Sequence, residues 1–183
     1  TQLELLEFQD EVRLLDVVKA IQRGQIIKKI KEEIERYMVE LGEEARLIEM
    51  QLKEIIGNAL DENRQIIRDY AKKDYEQAFR QMQEVSMEEL LNSTNITNAL
   101  GYGTSSENLD LSVFPRGYRI LSKVPHLPSA VIENVVKALG DLPSIMNSTV
   151  LELTEINEVG ERRANVIKRE LERLKDRALL VKH

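Results

Sequence analysis

Leu153 to Leu174 reads LTEINEVGERRANVIKRELERL, and this stretch decides the fold. Its first residues close one apolar helical pattern, and Asn157 to Gly160 make a tight polar turn. A second helix then begins at once, with Ile167, Leu171 and Leu174 as its buried stripe. Gly160 can take a positive φ at little steric cost. The peptide N–H groups of Val159, Gly160 and Glu161 can then converge on an anion at the start of the following helix. Arg162 and Arg163 stand in the first turn of that helix, where positive charge opposes the helix dipole, so an external phosphate would offset a local cost. The alternative is an ordinary interhelical turn with a solvated charge run.

An earlier stretch repeats this layout. A turn at Pro125–Pro128 precedes a helix carrying Val131, Ile132, Val135 and Leu139, as Asn157–Gly160 precedes one carrying Val166, Ile167, Leu171 and Leu174. Two such units about thirty residues apart suggest a pseudo-twofold pair in which each half buries the face the other cannot bury alone. Both helix starts would then aim at one side, where two phosphates of a duplex could be held without reading bases. Between the two, Ser129–Leu139 is expected to be a helix ended by Gly140. Leu142–Met146 is expected to be a short helix, and Val150–Ile156 another, capped by Ser148 or Thr149.

Upstream the chain reads as helix nearly throughout. Leu14, Leu15, Val17, Val18 and Ile21 form a first stripe, after which Gly24 marks a break or a close contact. Ile26, Ile27, Ile30, Ile34, Tyr37, Met38 and Leu41 form a second stripe, and Gly42 is placed to stop it. Leu47, Ile48, Leu52, Ile55 and Ile56 carry a further helix to Gly57. Asp61 is positioned to cap the next, with Ile66, Ile67 and Tyr70, and with Tyr75, Phe79 and Met82 open as its continuation. Ser86 and Glu89 have the spacing of a capping box. From Asn92 to Phe114 the composition turns to Asn, Ser, Thr and Gly, including GYGTSS at Gly101 to Ser106. This places a domain boundary there, as a loop over the helical body or a joint, with Asn108 to Phe114 extended. The expected organisation is a helical body over 1–100, a linker over 101–115 and a second helical domain over 116–183, all-α throughout.

Composition narrows the chemistry. With 42% hydrophobic and 32% charged residues the chain is that of a folded domain, and its 4% aromatics leave the packing to aliphatic side chains. Having no cysteine, it can hold no disulfide, thiolate nucleophile or cysteine-ligated zinc. His126 and His183 are the only histidines and neither has a ligand partner four residues on, so metal binding is not expected. Carboxylates such as Glu32, Glu33, Glu43, Glu44, Asp69 and Asp74 alternate with Lys, Arg and Ile as on a helix surface. Tyr102 lies in a glycine-rich segment without the lysine of a phosphate loop. No apolar run is long enough to span a membrane and no basic leader precedes one, so neither membrane nor secretion is expected.

The net charge of -6 argues against a polyanion until it is divided. Residues 1–110 hold 14 Lys+Arg against 23 Asp+Glu; residues 111–183 hold 12 against 9. A polyanion should meet the tail and be repelled by the rest. Candidate phosphate contacts are Arg162, Arg163, Lys168 and Arg169 around the second turn, and Arg116, Arg119 and Lys123 beside the first. Arg119 could equally anchor the linker by pairing with the acidic body.

The stretch Arg116 to Leu174, RGYRILSKVPHLPSAVIENVVKALGDLPSIMNSTVLELTEINEVGERRANVIKRELERL, resembles the tandem helix-hairpin-helix domain of the bacterial DNA integrity scanning (DisA) family. Leu14 to Ile56 is similar to that family's central helical domain, and the segment Phe114-Pro115-Arg116-Gly117-Tyr118-Arg119 matches the one that joins the two. The resemblance covers essentially the whole chain. It implies a DNA-binding and scaffolding part of a cyclic di-AMP synthase, binding DNA backbone without sequence preference and favouring branched, Holliday-junction-like DNA. It also implies a cytoplasmic, nucleoid-associated protein. The diadenylate cyclase domain, which uses ATP and a divalent metal through Asp-Gly-Ala and Arg-His-Arg motifs, is absent from these residues, so no cofactor is expected here. Self-association is expected through the helical domain, and the family's octamer only with the cyclase domain.

Two departures from the family pattern bear on binding. Glu158 stands where a glycine usually precedes the one matching Gly160, placing a carboxylate beside the phosphate site. His126 and Pro128 stand where an ideal first hairpin has glycines, and since proline donates no N–H, contact there falls to Ser129 and Ala130. The competing reading is a protein-interaction and oligomerisation scaffold that never touches DNA. No catalytic constellation is legible in the chain itself.

Overall fold

The computed structural model describes residues 2–41 and 45–180. In chain order the helices are α1 (Gln2–Phe8), α2 (Leu14–Leu41), α3 (Ala45–Tyr70), α4 (Tyr75–Glu84), α5 (Met87–Leu90), α6 (Ser93–Leu100), α7 (Tyr118–Leu121), α8 (Ser129–Leu139), α9 (Leu142–Asn147), α10 (Val150–Thr154) and α11 (Glu161–Leu180). A 3-10 turn covers Ser106–Asp110. Among the described residues there is no strand beyond an isolated bridge between Arg13 and Ser112. The fold is all-α, as the periodicity requires. The stop expected at Gly42, the carboxylates Glu43 and Glu44 and the terminal His183 lie outside the described residues, as do the side chains of Leu41, Leu47, Ile48 and Ile55.

The chain divides into two compact units. One comprises Leu14–Ile67 and Ala71–Leu111. Its core gathers Leu14, Val17, Val18 and Ile21 of α2, Ile66 and Ile67 of α3, Met82 of α4, Leu90 of α5, and Ile96 and Leu100 of α6. Gly24 is a close contact rather than a break. It lies within α2, and a Cβ there would overlap the Asn63 amide. That amide donates to the Ile21 carbonyl and accepts from Gln25, stitching α2 to α3.

The expected break at Gly57 and cap at Asp61 do not occur, and α3 runs through both. A lone glycine costs a helix only about 1 kcal/mol, which the apolar face of a 26-residue helix outweighs. The real break follows Tyr70, and Asp74 caps α4 by accepting from the Gln77 N–H. The capping box of Ser86 and Glu89 forms as spaced. The Asn-, Ser- and Thr-rich run begins not as loop but as α6, capped by Asn92 and ended by Gly101 at φ 93°. Beyond Asp110 the chain is extended, and Val113 donates to the Val12 carbonyl.

The other unit takes residues up to Arg13, Arg68–Tyr70 and residues from Ser112 onward. Its core joins Phe8, Ile120, Leu121, Val131, Val135, Leu142, Ile145, Leu153, Val159, Ile167, Leu171 and Leu174. Two like halves supply it: α7, a turn and α8; then α10, a turn and α11, with α9 between. Gly140 ends α8 at φ 89° and Thr149 opens α10 in a capping box with Glu152.

Candidate nucleic-acid interface

The two turns of the second unit share one geometry. Leu127 N–H donates to the Val124 carbonyl at 3.4 Å, and Val159 N–H to the Ile156 carbonyl at 3.0 Å. In each, the third residue takes a positive φ: His126 at 58° and Glu158 at 65°. A turn that needs φ > 0 at this place ordinarily carries glycine or asparagine there. The positive φ open to Gly160 is not used: Gly160 does not take one, and Glu158 does. Gly160 is exposed, its carbonyl opens α11 by accepting from Ala164, and a Cβ there would meet nothing within 4 Å. Neither φ nor internal space demands glycine at this position.

Val159 is the apolar pin of its turn, buried in the core, and Leu127 packs in the equivalent place. With these pins seated, the tip of the first turn and the first turns of α11 border one cleft of about 530 Å³. Pro125, His126 and Leu127 form one wall. Gly160, Arg162, Arg163 and Arg169 stand on the other, with Glu170 beside them. Arg162, Arg163 and Arg169 are exposed, and Arg163 also braces the second turn by donating to the Glu158 carbonyl at 2.7 Å. Glu161 begins α11, so its N–H and those of the next residues have no carbonyl within the helix to bond. Ser129 and Ala130 hold the same place in α8, exposed, after Pro128, which offers no side-chain cap. Lys168 turns away and donates to the Met146 carbonyl at 2.6 Å.

The residues beside the first turn separate from this cleft. Arg119 is 2% exposed and is bound by Glu7 of α1. It therefore presents nothing to a phosphate; of the two roles open to it, the structure gives it the internal anchor. Lys123 donates to Glu4 at 2.6 Å. Arg116 is half-buried, and its N–H donates to the Asp69 carbonyl oxygen.

The group that organises this region is Asp69, and the sequence reading of it as a helix-surface carboxylate is corrected, because it is buried at 1% exposure. Gly117, at φ 109°, turns three successive peptides so that the N–H groups of Gly117, Tyr118 and Arg119 all reach the Asp69 carboxylate, at 3.0, 2.7 and 3.1 Å. This is an anion-binding nest, filled by a carboxylate of the chain itself. The signal that could have found it is Gly117 directly before a four-residue helix with no capping side chain of its own.

Burial pushes the Asp69 carboxyl up to about 6, against the pull of Arg119 and the peptide N–H groups. Burial likewise pushes Glu7 up to about 7, against Arg119 and the Tyr70 hydroxyl that donates to it at 2.7 Å. At Glu4 burial also acts upward, but Lys123 and Arg119 together outweigh it and leave the carboxyl below its ordinary value. No group of three or more His, Cys, Asp or Glu that could hold a metal occurs among the described residues. Among the same residues no helix is long and apolar enough to cross a membrane.

Residues 1–109 match the family model of the DisA bacterial checkpoint controller linker region. Over 175 residues the chain is 48% identical to the DNA integrity scanning protein DisA of Carboxydothermus hydrogenoformans, covering 93% of this chain and 50% of the relative. It is 43% identical over 183 residues to the protein of that name from Clostridium tetani, covering 99% and 51%. For the one from Clostridium botulinum strain Langeland the identity is 42% over 182 residues, covering 98% and 51%. The chain thus spans about half the length of the curated relatives it matches. With a linker-region match over more than half its residues and these relatives along nearly all of them, the chain belongs to the DisA family.

Proposed function

We propose that this chain binds the DNA backbone without sequence preference, through a tandem helix-hairpin-helix domain. The observation that carries the reading is a pair of turns of equal geometry, with the tip of the first and the start of α11 bordering one cleft that Arg162, Arg163 and Arg169 line. Peptide N–H groups at the starts of α8 and α11 would take phosphate oxygens, and the arginines would add charge-assisted bonds. Gly160 supports this: a glycine its own fold does not require leaves room for a phosphate to approach the backbone. Two fixed anchor points favour DNA that can bend to both, hence branched over straight duplex.

The relatives' name points to DNA scanning, and half of their length lies outside this match. In the whole protein, this half would act as the regulatory part of a cyclic di-AMP synthase, with ATP and a divalent metal handled outside these residues and with association to the nucleoid. A second reading, self-association of the helical unit, has its own observation. The apolar stripe expected on α2 is left open at Ile30 and Tyr37, Val39 beside it is 86% exposed, and Met50 of α3 is exposed too. Octamer formation would then depend on the remaining half of the protein.

The test is fluorescence anisotropy of labelled duplex and four-way junction against the chain at two salt concentrations, with sedimentation run in parallel. Expected is junction binding tighter than duplex, falling steeply with salt and abolished in Arg162→Ala with Arg163→Ala. Absence of binding at low salt, with a self-associated chain in sedimentation, would favour the scaffold instead.

A further inference from the structure

We propose that the phosphate-binding surface extends beyond the paired turns as an arginine track on α11, carried by Arg173 and Arg177, neither of which the turn geometry requires. The inference rests on the DNA-binding reading and lengthens its footprint. At 3.6 residues per turn, Arg162, Arg163, Arg169, Arg173 and Arg177 fall within about a third of the helix circumference. All five are exposed. The other flank of the same helix carries Glu161, Lys168, Glu172 and Lys175, the mixed pattern of a solvated surface, with Asp176 at the border between the two. Only the flank facing the cleft is arginine without lysine, in a chain whose net charge is -6. Arginine's planar fork matches phosphate oxygens in pairs, which an ammonium does not.

The carboxylate within that flank is Glu170, itself only 9% exposed. It accepts from Arg173 Nε at 2.8 Å and from Arg169 Nε at 3.4 Å. Both guanidiniums are thus tied through Nε to a carboxylate that lines the cleft, leaving their terminal nitrogens outside that contact. Arg169 and Arg173 nevertheless stay 72% and 63% exposed. A carboxylate sunk among arginines holds them in place while contributing little repulsion at the surface. From Arg162 to Arg177 the track runs about 22 Å along the helix at 1.5 Å per residue. One backbone can therefore leave the cleft and follow α11.

The test is the salt dependence of duplex binding by the 183-residue chain, read as the slope of log affinity against log salt. Replacing Arg173 and Arg177 together by Ala should lower the slope by about 2, at roughly 0.9 for each phosphate no longer neutralised, and weaken binding at least tenfold at low salt. The pair Arg173→Lys with Arg177→Lys should keep the slope and lose affinity. Lys175→Ala, on the other flank, should leave the slope unchanged. Circular dichroism checks that each variant keeps its helix. A parent that binds, with an unchanged slope in the Ala pair or an equal fall in Lys175→Ala, overturns the track while leaving the turns in place. A parent that does not bind at all fails the underlying reading instead.

Discussion

Asp69 accepts the Tyr118 N–H at 2.7 Å, so the last turn of α3 caps the first turn of α7 from 49 residues away in sequence. The two neighbouring N–H groups close on the same carboxylate, which makes Asp69 the cap of a helix start that has no side-chain cap of its own. Asp69→Ala strands three buried donors and removes a charge that faces Arg119. A loss of about 3 kcal/mol or more is expected in urea unfolding. Asp69→Asn keeps one acceptor oxygen and should lose less. A loss under about 1 kcal/mol for the alanine variant would mean that the nest is not holding α7.

Glu7 and Asp69 give stability a pH dependence of unusual sign. Their folded carboxyls sit at about 7 and about 6, above the 4.5 and 3.8 of ordinary Glu and Asp. As pH rises from about 4.5 to 7, the unfolded chain therefore gives up protons that the folded chain still holds, and stability declines. One such proton corresponds to a slope of at most about 1.4 kcal/mol per pH unit. Urea midpoints at pH 5, 6, 7 and 8 should fall across this range and then level. Glu7→Gln should flatten the decline. A midpoint that rises from pH 5 to 7 in the parent and is untouched by the substitution contradicts this.

Local features of this fold were legible in the sequence and long-range ones were not. Ser86 with Glu89, Gly140 after α8 and the Val131, Ile132 and Val135 stripe each follow from residues within a few positions of one another, where helix period and capping chemistry decide. The turn pair was visible as a repeat, and the family resemblance marked His126 and Glu158 as standing at glycine positions, but spacing alone did not show that they carry the positive φ. Glycine is the usual choice for that conformation and Gly160 stood nearby, whereas the chain forces Glu158 into it. Two roles stayed open for Arg119 in the sequence because its partner Glu7 lies 112 residues earlier. No spacing rule connects a helix start to a carboxylate that tertiary folding brings to it.

Gly24 and Gly57 are both helix-interior glycines with opposite demands. A Cβ at Gly24 would overlap the Asn63 side chain, whose bonds to Ile21 and Gln25 keep it in place. Gly24→Ala should cost about 1–3 kcal/mol as overpacking, and Asn63→Ala in the same chain should recover part of it. A Cβ at Gly57 meets nothing within 4 Å, so Gly57→Ala should stabilise by about 0.5–1 kcal/mol through backbone entropy alone. Thermal unfolding of the two single variants checks the signs; equal shifts would show that helix propensity, not the Asn63 contact, governs Gly24.

Glu158 places both a strained backbone and a negative charge at the second turn, and two substitutions separate them. Its positive φ costs a non-glycine residue roughly 1–2 kcal/mol. Glycine removes that strain but has more freedom to lose on folding, about 0.5–1 kcal/mol, so Glu158→Gly should change stability little. The turn survives because Arg163 bonds the backbone carbonyl of residue 158, which glycine also has. Glu158→Gln keeps the strain and removes the charge. If the turn lies against DNA phosphates, both variants should bind duplex several-fold more tightly at low salt, with the advantage shrinking as salt screens the repulsion that the parent carries. Tighter binding by the glycine variant alone would assign the effect to backbone freedom. Unchanged affinity in both would move the phosphates away from the second turn.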